Sequence, residues 1–212
     1  MYAYLLARMS SFNLQWNSDE TEILMAEGIV LAGGFSMRMH ENKMHLDISD
    51  KPLIMHTIDS LLPFVNRVIV VTGHYDQELR QLIKEDEKIH IVYNKDYEKG
   101  MFSSVLCGVK EVKEDFFIVP GDIPFINAGT YEALLKGSKL VRYPSYKGKE
   151  GHPLFISIKL KDELLKEDIN SNLRAFRDKQ DKEAIPVDDE NILKDIDTKQ
   201  DYQELLKERK SL

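Results

Sequence analysis

The amino-acid sequence predicts an α/β fold with a mixed, mostly parallel sheet, on the basis of three observations. From Gly28 onward, short apolar runs alternate with segments of helical periodicity, as expected when parallel strands are buried on both faces. Turn-forming Gly and Pro residues directly follow several of these runs. After Ala128, two strand-like segments flank a polar loop that contains glycine, which is typical of antiparallel neighbours.

Successive strand–helix steps account for the first part of the chain. We predict strands at 28–32, 67–73, 89–94 and 115–122, and helices at 52–62, 76–85 and 101–112. Pro52 suits the first turn of the first helix, and Asp76 is a plausible cap of the second. Such a succession of steps favours a right-handed, doubly wound sheet.

The second part of the chain adds the elements that make the predicted sheet mixed. A helix at 130–137 precedes strands at 139–144 and 152–158, and the polar segment 145–151 between them predicts a loop. Thr198 and Asp201 stand at the spacing of a capping box, which indicates the start of a last, amphipathic helix.

Length and patterning predict one folded domain. The chain has 212 residues, of which 42% are hydrophobic, and strong patterning begins near Gly28. We therefore expect a single domain over 28–212 and a weakly ordered extension over 1–27. That extension lacks the pattern of a signal peptide, and no apolar run approaches the length of a membrane span. The single cysteine, Cys107, excludes an intramolecular disulfide and fits a reducing compartment, so the sequence predicts a cytoplasmic protein.

The charge balance limits the partners of the chain. A formal net charge of −7 argues against a general nucleic-acid-binding surface, which needs clustered excess Lys and Arg. Any anion that this protein binds must be met locally, by a few placed cations or by helix ends.

Candidate functional residues follow the ends of the predicted strands, because ligands of open α/β sheets bind beyond the carboxyl ends of the strands. Unusual segments stand at four of these positions: "AGGFSMRMHENK" (32–43), "TGH" (72–74), "NKDYEKGMFSS" (94–104) and "PGDIP" (120–124). In the predicted sheet all four converge on one crevice.

The first of these segments has two interpretations. Gly33 and Gly34 permit close backbone approach and positive φ, and Arg38 and Lys43 supply positive charge, so together they suit a triphosphate. The glycine spacing fits neither a Rossmann motif nor a Walker A loop. From residue types alone, a plain strand-to-helix connection with two solvated cations fits equally well.

Acidic residues near strand and helix ends are candidate metal ligands. Asp122 lies between Pro120 and Pro124 on a stiff turn, which suits Mg²⁺, although Pro-Gly-Asp is also common turn chemistry. The metal interpretation is favoured because a triphosphate site needs a divalent ion for neutralisation. Asp195 and Asp197 directly precede the last helix, where they either reach the metal or cap the helix.

Other polar residues have a structural and a functional interpretation. Ser103 and Ser104 stand where a helix begins and either cap it or help to present backbone N–H groups to an anion, capping being the simpler role. Cys107 lies on an apolar helix face and is expected in the core. A turn or packing role for His152, in "GHP", is as compatible with the sequence as a substrate contact.

Six motifs in order resemble those of the molybdenum cofactor nucleotidyltransferases, most closely the cytidylyltransferase branch. They are "LAGGFSMRMHENKM", "VVTG", "NKDYEKGMFSSVLCGV", "VPGDIP", "PSYKGKEGHP" and "DIDTKQDY", and the resemblance covers about Ile29 to Tyr202. It implies a three-layer α/β/α fold of the glycosyltransferase-A type, that of the nucleotide-diphospho-sugar transferases. It also implies the reaction, in which the terminal phosphate of the pterin cofactor attacks the α-phosphate of CTP in the presence of Mg²⁺ and releases pyrophosphate.

The resemblance also implies the roles of individual residues. It assigns the nucleotide to Leu31, Ala32, Gly33, Gly34, Lys43, Thr72, Gly73 and Asn94, and the substrate side to Gly100, Ser103, Ser104, Gly151 and His152. Lys43 matches the triphosphate lysine of the family, and Arg38 matches an arginine that would stabilise charge on the leaving pyrophosphate. Asp122 matches the metal ligand, and Asp197 matches a second, C-terminal candidate.

Two departures from the family motifs keep alternatives open. His40 stands where the family usually has glycine, and "LAGG" is more common in the guanylyltransferase branch, whereas "GMFSSV" and "GHP" favour cytidine. The alternatives are therefore a GTP-using guanylyltransferase and a cytidylyltransferase that acts on a sugar or polyol phosphate. A non-catalytic alternative is a carrier that escorts the pterin cofactor to a client molybdenum hydroxylase.

Overall fold

The protein is built around one central β-sheet. The computed structural model describes residues 26–35, 42–83 and 86–210. The strands are β1 (Ala26–Ala32), β2 (Asp47–Ile48), β3 (Lys51–Pro52), β4 (Arg67–Thr72), β5 (Ile89–Tyr93), β6 (Asp115–Pro120), β7 (Val141–Tyr146), β8 (Lys149–Glu150), β9 (Leu154–Ile156) and β10 (Lys182–Pro186). The expected extension over 1–27 falls largely outside the described residues, but its last two residues, Ala26 and Glu27, already belong to β1.

The sheet is mixed and mostly parallel, which confirms the predicted class. The strand order is β10-β7-β9-β6-β1-β4-β5, β8 pairs with β7, and β2 and β3 form a separate hairpin. β1 lies parallel to both β4 and β6, whereas β9 runs antiparallel to β6 and β7. From β1 the chain moves to β4 and β5 on one side and then returns to β6 on the other. This reversal opens a crevice at the carboxyl ends of β1 and β6.

Helices cover both faces of the sheet. They are α1 (Leu53–Leu61), α2 (Asp76–Leu82), α3 (Met101–Glu111), α4 (Ala128–Lys136), α5 (Lys161–Leu164), α6 (Leu173–Asp178) and α7 (Lys199–Lys210). Successive strand residues point to opposite faces, so Val30 packs with α1, α2 and α4 while its neighbour Ile29 packs with α3, α5 and α6. The two cores with the sheet between them make the three-layer α/β/α arrangement.

Several element predictions are wrong in detail. The segment 145–151 was expected to be a loop, but β7 continues to Tyr146 and pairs with Lys149 of β8 across a tight turn. The fourth strand ends at Pro120 rather than at 122, because its turn begins at Gly121. The hairpin β2–β3 and the short helices α5 and α6 were not predicted, since none is long enough to show a period. β10 was not predicted because its sequence, KEAIP, is not an apolar run.

The predicted helix caps had opposite outcomes. Asp76 does not cap α2, because Tyr75 holds that position and the Asp76 carboxylate instead accepts hydrogen bonds from Thr72 Oγ1 and, at 3.0 Å, from Arg80 Nε. The capping box at α7 is confirmed. Thr198 N–H donates to Asp201 Oδ2 at 2.7 Å, and Asp201 N–H donates to Thr198 Oγ1 at 3.2 Å.

The last helix docks on the small hairpin near the end of β6. Ile196 and Leu205 pack against Ile48 and Leu53, and the Tyr202 hydroxyl donates to the backbone carbonyl of Asp47 at 2.6 Å. This docking brings the segment that precedes α7 to the edge of the crevice. Within the described part of the chain, no helix is long and apolar enough to cross a membrane.

Candidate active site

A cavity of about 520 Å³ lies over the carboxyl ends of β1 and β6. We call it the first cavity. It is lined by Leu31, Gly33, Gly34, Phe35, Lys43, Met44, Tyr97, Glu98, Gly100, Met101, Ser104, Pro120, Asp122 and Asp197. Residues from three of the four predicted segments therefore meet here, at the place where open α/β sheets bind ligands.

The charged centre of the first cavity consists of Lys43, Asp122 and Asp197. The Lys43 ammonium donates to Asp122 Oδ2 and, at 2.7 Å, to Asp197 Oδ1. The side chains of Lys43 and Asp122 are only 12% and 14% exposed, so their ion pair is largely shielded from solvent. The sequence predicted each residue separately, and the fold places all three in contact.

Backbone contacts fix the position of the two carboxylates. Gly121 N–H donates to the Leu31 carbonyl at 2.9 Å, and the Thr57 hydroxyl donates to the Gly121 carbonyl at 2.8 Å. Ile196 N–H donates to the Asp122 carbonyl at 3.1 Å. The turn that carries Asp122 is therefore tied to β1, to α1 and to the segment that carries Asp197.

Lys43 is the first residue of a short 3₁₀ helix, Lys43–His45. The side chain of Asn42 caps this helix, because its Oδ1 accepts a hydrogen bond from Met44 N–H at 3.2 Å. Burial alone would lower the pKa of Lys43, but attraction and hydrogen bonding by Asp122 and Asp197 outweigh it and raise the pKa above the ordinary lysine value. The ammonium is therefore charged throughout the physiological pH range.

The carboxylates of Asp122 and Asp197 fit a divalent cation. Both have an oxygen in hydrogen-bond contact with one ammonium group, so they converge on one point. Mg²⁺ typically takes one or two carboxylates and completes its shell with water and phosphate oxygens. No cluster of three or more His, Cys, Asp or Glu side chains placed to hold a metal ion occurs in ranges 26–35, 42–83 and 86–210. Asp195 lines a different cavity, beside Asp201 and Glu204.

Glycine allows the first loop to lie close to its neighbours. A Cβ atom on Gly33 would lie 2.8 Å from Ser104 Oγ, and one on Gly73 would lie 2.9 Å from the Gly33 Cα atom. The glycines therefore let the loop pack closely against the protein, whereas the expected approach of a phosphate to its backbone stays a prediction. Neither Gly33 nor Gly34 has positive φ, so that part of the expectation is wrong, whereas Gly100, which precedes α3, has φ of 95°.

The amide of Asn94 organises the start of α3. Its Nδ2 donates to Ser103 Oγ at 2.8 Å and to Ser104 Oγ at 3.0 Å. Ser103 Oγ also lies 2.7 Å from the Gly100 carbonyl, and Ser104 lines the first cavity. The serines do not cap α3 through their side chains, because Gly100 holds the cap position. Asn94 does not itself line the first cavity but contacts two residues that do, Ser104 and Tyr97, whose N–H donates to the Asn94 carbonyl at 3.3 Å. Its predicted contact with a nucleoside stays a prediction.

Some residues predicted to bind nucleotide lie behind the cavity wall. The Thr72 hydroxyl is fully buried and lies within hydrogen-bond distance of Asp76 Oδ1 and, at 3.3 Å, of the Val92 carbonyl. Gly73 packs under Gly33, and Ala32 is absent from the cavity lining. These residues support the first loop from behind the cavity wall.

Aromatic and apolar residues form a wall of the cavity that the sequence interpretation missed. The Phe35 ring lies 5.4 Å from the Tyr97 ring and 4.9 Å from the His74 ring. Phe35 and Met101 are 38% and 67% exposed. Phe35, Tyr97 and Met101 line the cavity, whereas His74 contacts the Phe35 ring without lining it. All four stand inside the quoted segments, but side chains of this kind in a loop do not by themselves indicate a cavity wall, so only the fold identifies them.

A second cavity, of about 350 Å³, adjoins the first and contains His152. The two cavities share Leu31, Gly100, Met101 and Pro120. The Nδ1 atom of His152 is buried and has no hydrogen-bond partner. Gly151 packs tightly behind it, since a Cβ atom there would lie 2.5 Å from the Ile192 carbonyl oxygen. His152 is thus separate from the charged centre but borders the same crevice.

Burial lowers the pKa of His152 below 6.5, and the negative charge of Asp122 only partly opposes this shift. The unfolded chain then binds a proton at a higher pH than the folded chain does. We expect the free energy of unfolding to fall as the pH drops below about 6.5, by at most about 1.4 kcal/mol per pH unit from this group. Urea titrations at pH 7.5 and 5.5 measure the free energy of unfolding at each pH. His152→Gln should reduce the difference between these two free energies.

The exposed His90 provides the control for this measurement. His90→Gln shows any general effect of replacing a histidine that is not buried. An equal pH dependence in the His152→Gln and unaltered proteins would contradict the assignment of His152 as a buried, neutral group.

Residues 36–41 of the first segment lie outside the described residues. They include Arg38, predicted to stabilise the leaving pyrophosphate, and His40, the departure from the family motif.

Comparison with known proteins identifies relatives over most of the chain. The model of a family described as MobA-like NTP transferase domain matches residues 28–185. The chain is 28% identical over 177 residues to the molybdenum cofactor cytidylyltransferase of Escherichia coli (strain K12), covering 82% of this chain and 92% of that protein. It is 31% identical over 134 residues to a probable molybdenum cofactor guanylyltransferase of Thermococcus sibiricus, covering 60% and 65% of the two chains.

A solved structure shares the fold. A nucleotidyl transferase from Methanothermobacter thermautotroptrophicus superposes with a TM-score of 0.74 at 20% identity, covering 87% of this chain and 97% of that one. At this identity the likeness concerns the fold alone, and it agrees with the three-layer arrangement around a mixed sheet.

Proposed function

The chain belongs to the MobA-like NTP transferase family and is a nucleotidyltransferase, and we propose that it transfers CMP from CTP to the terminal phosphate of a molybdenum–pterin cofactor. The cytidylyltransferase of Escherichia coli supports the choice of nucleotide and acceptor, because the similarity extends over 92% of that protein. In the reaction, an oxygen of the acceptor phosphate forms a bond to the α-phosphorus of CTP. The bond from that phosphorus to the bridging oxygen breaks, and pyrophosphate leaves.

The observation that carries the proposal is the charged centre at the rim of the first cavity. One ammonium and two carboxylates converge beside a glycine-containing loop, in a space of about 520 Å³. That volume is within the range of small-molecule sites, and the mixture of charges suits a triphosphate with its cation.

The proposed roles of the residues follow from their placement. Lys43 would donate hydrogen bonds to phosphate oxygens and hold negative charge as it moves onto pyrophosphate. Asp122 and Asp197 would hold Mg²⁺, which when bound neutralises triphosphate charge. Gly33, which has no side chain, would let the phosphates approach the backbone of the first loop. Catalysis of this kind depends on alignment and charge stabilisation more than on covalent chemistry by the protein.

The second cavity is the proposed site of the acceptor. It meets the first cavity at Leu31 and Pro120, so an acceptor bound there would reach the nucleotide across the ends of β1 and β6. His152 contributes a buried nitrogen without a partner, which could bind a polar edge of the pterin. No client hydroxylase forms part of this proposal.

GTP is the second candidate nucleotide. The similarity to a probable guanylyltransferase and the "LAGG" sequence of the first loop both favour it. The acceptor and the site would be unchanged, and only the nucleobase would differ.

The experiment that tests the proposal measures pyrophosphate release by the purified protein with Mg²⁺ and molybdenum-loaded pterin. We expect release with CTP and at least tenfold less with GTP, a difference of about 1.4 kcal/mol in transition-state binding. A faster reaction with GTP would select the second candidate. Release with a sugar or polyol phosphate and none with the pterin, or no release with any acceptor, would contradict the proposal.

A further inference from the structure

The two carboxylates proposed to hold the cation are already partly neutralised by a side chain of the protein. Lys43 Nζ contacts Asp122 Oδ2 and lies 2.7 Å from Asp197 Oδ1. The two acidic residues lie 75 positions apart in the sequence, so this contact depends on the fold rather than on local geometry. Asp197 is the more accessible of the two, with a side chain that is 32% exposed.

An ammonium group and a divalent cation compete for these oxygens. The Lys43 ammonium occupies one oxygen of each carboxylate, and these are oxygens that a bound Mg²⁺ would also use. Positive charges at such short separation also repel each other strongly in a partly buried site. A cation that binds alone must therefore either displace Lys43 or bind against its charge, and both weaken its binding.

A triphosphate offers Lys43 a replacement partner. Lys43 lines the first cavity together with Gly33 and Gly34, so a triphosphate bound along that loop would share the cavity with the ammonium. Once Lys43 donates to phosphate, the oxygens of Asp122 and Asp197 become available to the cation. The exchange keeps every charged group paired in both states.

We infer that Lys43 is the resident counter-ion of the cation site and that it makes the site select a divalent cation accompanied by a triphosphate over the free cation. The inference rests on the proposed function in one respect, the assignment of Asp122 and Asp197 to the cation. By thermodynamic linkage, whatever removes Lys43 from the carboxylates tightens the binding of the free cation by the same free energy.

The test is a titration of the full chain with Mn²⁺ alone, with free Mn²⁺ followed by electron paramagnetic resonance. Nucleotide is left out because triphosphates chelate the cation themselves. We expect Lys43→Met to bind Mn²⁺ roughly tenfold more tightly than the unaltered protein, within the usual range of coupling between sites. Lys43→Arg keeps the positive charge and should bind Mn²⁺ as weakly as the unaltered protein does.

Control variants distinguish an effect at the cation site from a general effect of removing one positive charge from the protein. Lys51 pairs with Asp59 on the surface, so Lys51→Met removes the same charge elsewhere and should leave Mn²⁺ affinity unchanged. Adding Asp122→Asn to Lys43→Met should abolish the gain. Circular dichroism checks folding, and Lys43→Gln serves as a second neutral variant.

The inference is overturned if neither neutral variant binds Mn²⁺ more tightly, or if the gain survives Asp122→Asn. These titrations contain no acceptor and require no turnover. A tenfold gain would support the counter-ion role even if CTP gave no pyrophosphate, and pyrophosphate formation without the gain would overturn this inference alone.

Discussion

Asp122→Asn is expected to lower the turnover number by roughly 10³-fold while leaving the protein folded. The substitution keeps the shape of the side chain but removes the charge that Lys43 and, in the proposed function, Mg²⁺ require. The turn should persist, because it is held by backbone contacts of Gly121 and of Asp122 itself. Pyrophosphate release under saturating nucleotide and acceptor measures the effect, with thermal unfolding as the check on folding.

Asp59→Asn is the matched control, since it removes a carboxylate that pairs with Lys51 on the surface. It should retain the activity of the unaltered protein, because surface ion pairs contribute little. If Asp122→Asn keeps more than about a tenth of the turnover, the electrostatic role assigned to this carboxylate is wrong.

Gly73→Ala is expected to weaken nucleotide binding by about 10- to 100-fold, through the loop that it supports. The added Cβ atom would lie 2.7 Å from the Tyr97 Cβ atom and 2.9 Å from the Gly33 Cα atom, and closer still to the Gly33 carbonyl oxygen. Backbone atoms cannot move aside as a flexible side chain can, so the first loop must shift. Calorimetric titration with a non-hydrolysable CTP analogue measures the loss.

A second glycine-to-alanine substitution, at a position with free space, is the control for the added methyl group. A Cβ atom on Gly129, near the start of α4, meets nothing within 4 Å, so Gly129→Ala should preserve affinity and stabilise the helix by up to about 1 kcal/mol. Equal affinity of Gly73→Ala and the unaltered protein would show that the fit between Gly73 and Gly33 does not set the geometry of the loop.

The fold was predictable because its central strands are buried on both faces and therefore read as continuous apolar runs. β1, β4 and β6 lie close to their predicted positions for this reason, and Asp122 could be singled out because it follows β6 directly. The two-residue strands and the four- and six-residue helices were missed, since segments of that length show no period.

The sequence could single out candidate site residues from their neighbours in the chain, but it could not predict the contacts between them. Lys43, Asp122 and Asp197 were each recognisable from their neighbours, but their mutual contact depends on the docking of α7. Thr72 and Asn94 looked available for a ligand, whereas the fold directs their side chains to Asp76 and to Ser103. Which way a polar side chain points at a strand end is decided by packing partners far away in the sequence.

The dispersed origin of the charged centre makes it depend on the docking of the last helix. The sheet contains no residue beyond β10, whereas Asp197 stands between Ile196, whose N–H donates to the Asp122 carbonyl, and α7, which packs on the hairpin. A ligand that requires all three charges is therefore bound less tightly by a chain whose last helix is undocked. By linkage, the binding of such a ligand stabilises the docked position of α7.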